Sequence, residues 1–525
     1  MSKKILSLLL VISLIAGCAL GLTGCKDTKD TSSASSSPVI IEEYYEDEDG
    51  NLVLVEKHGD DESSGSSNKK SQSKDKTSGD DTEATSSSNK SNRVKKKVIF
   101  GSSQSSGSDG VDSSSKIEVD AALYKPNSLT VAFYDAAASS YGFTWNTDGK
   151  PYQPMVQICG GDSFNPDSCK EYEAGFETES NGNAKMYVCK ARATLDAGKT
   201  YSYRIYDKGV DVGSDVLKIK ARNVSGSKFT FAHLADSQVD NSTAEAGKPL
   251  GCVLGAINSR HPNIDFLLHT GDVVQYGGSE SNWRNMLDQN IDLLSKIPMM
   301  AIGGNHETSQ YGGNSHHIYK HFNVKKPSQS FDAGYYYTFE YGNARFIMLN
   351  TNRLSDNKLT SDQYDWLVST LDSNQKQWTI VAMHNPLYSV GKWGTSPSYN
   401  TVALALQEQL SDLFYEKGVD LVLQGHDHAY SYTYPIAQGK TALKSAATEG
   451  NCFVNPQGVI YSMHGPVGNQ SRGPAGIDWN RYKHAATGLE SSWAEITIDG
   501  NTLTVDVLSY NSGNPKVEFS YGIKK

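Results

Sequence analysis

The chain has no excess of positive charge, few cysteines and, over one long stretch, almost no aromatic side chains. Lys and Arg number 49 against 59 Asp and Glu, a formal net charge of −10, so no global attraction to a nucleic-acid backbone exists and nucleic-acid binding is not expected. The cysteines number seven in 525 residues and none are spaced CxxC, which excludes a compact thiolate metal site of that kind. Hydrophobic residues make up only 37%, so part of the chain is expected to bury nothing. That part is residues 26–115, rich in Ser, Lys, Asp, Glu and Gly, where Tyr44, Tyr45 and Phe100 are the only aromatics. Such a segment cannot offset its chain entropy by burial and is expected to be a disordered tether. One exception is Val39 to Glu56, where two short apolar stretches flank Asp49-Gly50 and predict a marginal hairpin.

What is present begins at the N-terminus. Lys3 and Lys4 precede an apolar run from Ile5 to Ala16, the pattern of a signal peptide over residues 1–25. Ile15-Ala16-Gly17-Cys18 and Leu22-Thr23-Gly24-Cys25 both resemble the bacterial lipobox. Cys25 is the expected lipidation site because a polar, Ser-rich stretch follows it, with Cys18 as the alternative. An uncleaved membrane anchor is a second alternative, since the run is about long enough to span a bilayer. Either arrangement ties the chain to the cell membrane and places its bulk outside the cytoplasm. Export permits disulfides among the remaining five cysteines, and Cys159 with Cys169 or with Cys189 is the expected pair.

Between residues 116 and 224 the pattern is of short strands: Ser128 to Tyr134, Tyr141 to Thr147, Met186 to Ala193 and Thr200 to Tyr206. In Tyr141-Gly-Phe143-Thr-Trp145 and Tyr201-Ser-Tyr203-Arg-Ile205 every second residue is large and apolar, the signature of half-buried strands in an all-β sandwich. Leu195 to Tyr203 resembles the tyrosine corner of fibronectin type III modules. Over residues 225–525 apolar strands alternate with amphipathic stretches such as Trp283 to Ile297 and Thr401 to Glu416, which implies an α/β layered domain. The last third lacks helical patterns and is expected to add antiparallel strands near Val459 to Met463, Trp493 to Ile498, Leu503 to Leu508 and Val517 to Ser520.

Five short motifs each follow an apolar strand: Ala235-Asp236-Ser237-Gln238, Gly271-Asp272, Gly304-Asn305-His306-Glu307, Met383-His384-Asn385-Pro386 and Gly425-His426-Asp427-His428. Strand ends of α/β sheets converge on one edge, which gathers these O- and N-donors from distant parts of the chain. Singly, each is more often a turn cap or a satisfied core histidine than a functional residue. Carboxylate, amide oxygen and imidazole together suit ions such as Mn, Fe and Zn. Their order closely resembles the calcineurin-like metallophosphoesterases, over roughly residues 228 to 510.

That resemblance implies a two-sheet α/β sandwich and a two-metal centre hydrolysing phosphate esters with a bridging hydroxide. One ion would be held by Asp236, Asp272 and His428, the other by Asp272, Asn305, His384 and His426. His306 would face substrate as the catalytic acid, or else orient a neighbour, and Glu307 is a candidate partner for a nearby histidine. His316, His317, His321 and His464 have no motif position, so surface or supporting roles are expected. Within the superfamily the chain looks most like the purple acid phosphatases, through the preceding fibronectin-like module with Trp145-Asn-Thr, the Gly-Asn-His-Glu quartet and Gly-His-Asp-His-Ala-Tyr430. Two departures stand out. The branch's metal-binding tyrosine should fall at Gln275, with Tyr276 one residue on, and its histidine loop is here Leu387-Tyr-Ser-Val-Gly-Lys392-Trp393. Gln238 is a possible neutral ligand or a partner for water. Two divalent ions, Mn, Fe or Zn, are therefore expected rather than a fixed ferric pair. The expected reaction is acid-phosphatase-like monoester hydrolysis, with a phosphodiesterase or nucleotidase, or a surface binding protein using the domain as a scaffold, as alternatives.

Overall fold

The computed structural model describes Tyr44–Glu46, Leu52–Leu54 and residues 119–525, apart from 136, 182–183, 244–245, 309–315, 326–335, 469–471, 473–474, 487–488, 490 and 512–513. The signal peptide, Cys18, Cys25 and most of the tether lie outside the described residues. Tyr44–Glu46 and Leu52–Leu54 pair antiparallel with Tyr44 opposite Leu54, the hairpin expected around Asp49-Gly50.

Glu118–Lys525 forms one compact unit built on four larger sheets. Two of them lie in the N-terminal part. One runs Asn127–Phe133, Ser140–Thr147, Ala184–Thr194, Gly175–Asn181, and the other Val212–Gly213, Thr200–Asp207, Pro154–Gly160, Lys170–Glu173, with Leu217–Lys220 also on Thr200–Asp207. All these pairings are antiparallel. The Tyr201 hydroxyl accepts the Asp196 backbone N–H at 2.9 Å, closing the corner that the sequence suggested. Cys159 and Cys169 are joined by a disulfide, whereas Cys189 is a buried free thiol.

The other two sheets form the α/β part. The first is ordered Met299–Ala301, Phe266–His269, Lys228–Leu234, Ser492–Asp499, Thr502–Asn511, Asn514–Lys524, Cys452–Val454, Thr448–Glu449. The second is ordered Tyr337–Tyr341, Ala344–Met348, Trp378–Ala382, Leu421–Gln424, Ile460–His464, Tyr430–Thr433, Tyr482–Ala486. Their inner faces meet through aromatic rings. Phe231 stacks on Phe266 at 4.9 Å, Phe339 on Phe346 at 4.8 Å, and Phe266 meets Phe346 edge-on at 5.3 Å.

Helices cover the outer faces. Lys248–Arg260 buries Leu250, Val253, Leu254 and Ile257 against the first sheet, the i, i+3, i+4, i+7 stripe of an amphipathic helix. Thr401–Glu416 buries Ala403, Leu406, Leu410 and Phe414 against the second, where Leu367 of Ser361–Asp372 is also fully buried.

Three expectations change. The stretch read as one helix from Trp283 to Ile297 is broken into Glu280–Asp288 and Ile291–Leu294. Ile460–His464 lies parallel to Leu421–Gln424 rather than being wholly antiparallel. In Ser140–Thr147 every residue from Tyr141 to Thr147 is buried, although alternation predicted a half-exposed strand. The cause is packing between the all-β and α/β parts, which share one core. Phe133 lies 5.9 Å from Phe266 and 5.6 Å from Tyr341. Asn146 donates to Glu280 at 2.7 Å, and a Cβ on Gly142 would sit 2.0 Å from the Asn323 carbonyl oxygen. His321 belongs to this contact too: it is fully buried and stacks 4.2 Å from Trp283, so it is neither a surface residue nor part of the motif cluster. The side chains of His316 and His317 lie outside the described residues.

Candidate dimetal site

Parallel strands supply the site. Lys228–Leu234, Phe266–His269 and Met299–Ala301 run side by side in one sheet, and Trp378–Ala382 and Leu421–Gln424 in the other. The loops leaving their carboxyl ends carry the five motifs. The backbone there is strained: Asp236, Gln238, Asp272, His426 and His428 all have positive φ, between 42° and 76°. Non-glycine residues persist in this region only when their surroundings hold them. Here the Gln238 N–H donates to the Asp272 carbonyl at 2.9 Å, and the His426 N–H donates to both Asp236 carboxylate oxygens at 3.0 Å. Gly271 takes φ 99°, and a Cβ on Gly304 would meet Asp272 Oδ1 at 2.0 Å, so the second and third loops close only with glycine at these positions.

All six residues expected as ligands converge. Ligand atoms of Asp272, His384 and His426 lie within 4.8 Å of one another, and so do those of Asp236, Asp272 and His428. Asp272 is common to both groups. Asn305 joins the first through its Oδ1, 3.0 Å from His384 Nε2. The His384 orientation is set from behind, where its Nδ1–H donates to the Thr270 carbonyl at 2.8 Å and turns Nε2 toward Asp272 Oδ1 at 3.3 Å.

Charge is concentrated here out of water. Burial, opposed by the His384 ring and reinforced by the Asp272 carboxylate, lifts the Asp236 pKa to about 8. Burial opposes charge on Asp272 as well, yet the imidazoles of His384, His306 and His426 hold its carboxyl well below the usual range. Burial alone would lower His384, but Asp272 and Asp236 outweigh it and raise the ring to about 9. A cation would relieve this opposition of buried carboxylates. Gln238 adds a second sign of one: its Nε2 donates to Asp272 Oδ2 at 3.2 Å, while its Oε1 is buried with no hydrogen-bond partner. An orphaned oxygen beside a buried carboxylate, in a set of hard oxygen and imidazole donors, fits divalent ions. Tyr276 is 48% exposed, and Gln275 gives its carbonyl to the His306 ring.

His306 sits at the rim, 7% exposed. Its backbone N–H donates to Asp272 Oδ1 at 2.9 Å and its Nδ1–H to the Gln275 carbonyl at 2.7 Å, which leaves Nε2 3.7 Å from Asp272 Oδ2. Glu307 does not bond a histidine. Its carboxylate accepts the backbone N–H groups of Gly304 at 2.7 Å, Asp272 at 3.0 Å and Val274 at 3.1 Å, and so clamps the second and third motif loops together. Glu307→Gln keeps one acceptor oxygen but turns an NH2 donor toward at least one of these three N–H groups, and should cost ~1–3 kcal/mol of stability in urea denaturation. An unchanged midpoint would show that the clamp carries no load.

Several contributors carry no sequence signal. Under the site, His233 Nδ1 lies 2.8 Å from His464 Nδ1, and His233 Nε2 lies 3.0 Å from Thr270 Oγ1. Burial pushes both rings' pKa values down, so they are neutral and share a single proton between the facing nitrogens. His464 thus supports Thr270, the residue that orients His384. Arg472 donates its backbone N–H to the His428 carbonyl at 2.9 Å, and its charge acts on Asp236, His426 and Asp427. It comes from a loop with no recognisable pattern.

Comparison with known proteins agrees with this geometry. Residues 229–430 match the family model for calcineurin-like phosphoesterases. Purple acid phosphatase 21 of Arabidopsis thaliana is 27% identical over 218 residues, 40% of this chain and 45% of that protein. Acid phosphatase type 7 of Homo sapiens is 26% identical over 226 residues, covering 40% and 49%. The structure of purple acid phosphatase PPD1 from yellow lupin superposes with a TM-score of 0.65 at 20% identity, over 76% of this chain and 74% of that one. The matched region spans less than half the length of these curated relatives. Residues 229–430 thus carry a calcineurin-like phosphoesterase domain, similar in sequence to purple acid phosphatases and in fold to one of them.

Proposed function

We propose that the protein hydrolyses phosphate monoesters at a centre of two divalent ions. The observation that carries this reading is the pair of donor groups sharing Asp272: Asp236, Asp272 and His428 would hold one ion, and Asp272, Asn305, His384 and His426 the other. Two such ions supply charge for the ester oxygens and lower the pKa of water toward ~7. The chain does the rest. Thr270 and the His233–His464 pair hold the His384 ring, Glu307 fixes the loops, and Gln238 offers a neutral oxygen where the related phosphatases would use a phenolate. His306, with Nδ1–H committed to a carbonyl, presents Nε2 as the group that protonates the leaving alkoxide.

The N-terminal signal pattern and the Cys159–Cys169 disulfide favour an exported, lipid-anchored protein, since such bonds persist outside the reducing cytosol. The Tyr201 corner favours a fibronectin type III-like assignment for the N-terminal sheets. To test the activity, the protein is stripped with chelator and reloaded with Mn, Zn or Fe(II). Phosphate release from an aryl phosphate should vanish and return. Metal uptake without turnover of monoesters, diesters or nucleotides would instead favour a binding scaffold.

A further inference from the structure

The loop from Leu387 to Trp393, where the related phosphatases carry histidines, builds an aromatic wall beside the metal groups. A cavity of 210 Å³ opens directly on Asn305 and His426 and is lined further by Pro386, Trp393, Tyr399 and Val402. The Trp393 ring lies 4.7 Å from the His426 ring, and Tyr399 meets Trp393 nearly edge-on at 5.2 Å, so the two rings form a corner. Lys392 places its ammonium 5.1 Å and 4.8 Å from the same two ring centroids.

This wall is held in place. The Trp393 backbone N–H donates to Asp427 Oδ2 at 3.2 Å, the Ser389 hydroxyl donates to the same oxygen at 2.5 Å, and a Cβ on Gly391 would meet the Asp427 carboxylate at 2.2 Å. Asp427 therefore ties the wall to the two histidines that flank it. Packing of the fold does not require the outer ring, because Tyr399 is 44% exposed. The indole N–H of Trp393 is buried and has no hydrogen-bond partner. A preorganised, partly exposed aromatic corner opening on this cavity is a ligand surface rather than a core element.

We propose that this corner receives a flat aromatic ring carried by the leaving group of the ester. The inference rests on the phosphomonoesterase reading and names its substrate class. The ring would stack on Trp393 with Tyr399 at its edge, while the phosphate faces the donors of Asn305 and His426. Aliphatic esters leave the corner empty.

Benzyl phosphate and ethyl phosphate test this, because their leaving alcohols differ little in acidity and mainly in the ring. AMP and ribose 5-phosphate form a second pair, in which the ring is attached through a sugar. The wild-type protein should favour benzyl over ethyl phosphate about tenfold in kcat/KM, as expected for one stacked and buried ring. Trp393→Ala and, independently, the exposed Tyr399→Ala should each reduce that ratio several-fold at unchanged metal content, while Trp393→Phe should retain most of it. A benzyl-to-ethyl ratio near one in the wild type, or a preference that survives both alanine variants, overturns the slot and leaves the phosphoesterase reading standing. Absence of turnover of all four esters by metal-loaded protein overturns that reading, and the slot with it. A preference for AMP over ribose 5-phosphate that also falls in the variants extends the class to nucleotides. A preference confined to the benzyl pair places the ring next to the ester oxygen.

Discussion

Asp272→Asn should abolish phosphate release, with kcat/KM falling by about 10³-fold or more, the scale set by losing preorganised charge at a reacting centre. The substitution is nearly isosteric. Its remaining amide oxygen can still accept the His306 N–H that Asp272 Oδ1 now receives at 2.9 Å, and the backbone contacts to Gln238 and Glu307 do not involve the side chain. What disappears is the charge common to both donor groups, the charge that raises the His384 pKa and balances the buried imidazoles. Both ions should therefore be lost, not one. Metal analysis of the folded variant checks this, and retention of two ions per chain with wild-type turnover would remove Asp272 from its shared role.

His306→Ala should behave differently. Both ions should stay, because the backbone N–H that supports Asp272 is present in alanine, while kcat falls by roughly 10²- to 10⁴-fold as expected for loss of a positioned acid. The loss should be larger for alkyl than for aryl phosphates, since a poor leaving group depends more on receiving a proton. Equal losses on both substrate types, or loss of metal, would make His306 a positioning residue acting through Asp272.

The convergence of the candidate donors was legible in the sequence because each motif pairs a metal-competent side chain with a strand end. Asp236, Asp272, Asn305, His384, His426 and His428 meet where the strand order predicted. Partners that act through backbone groups were not legible. Thr270 orients His384 by its carbonyl, and Glu307 works on three N–H groups, so its expected histidine partner was wrong. Side-chain chemistry alone cannot reveal such contacts. Burial was misjudged in Ser140–Thr147 for a related reason: alternation reports one packed face, whereas the second face of that strand is covered by residues such as Asn323, far away in sequence. The His233–His464 contact joins neighbouring layers across 231 positions and leaves no local pattern.

The most direct measurement is anomalous diffraction from crystals of the metal-loaded protein, recorded across the absorption edge of the metal supplied. Two peaks ~3.5 to 4 Å apart are expected, one bounded by Asp236, Asp272 and His428, the other by Asp272, Asn305, His384 and His426. A single peak, or two peaks of which only one touches Asp272, would contradict a dimetal centre built on that carboxylate.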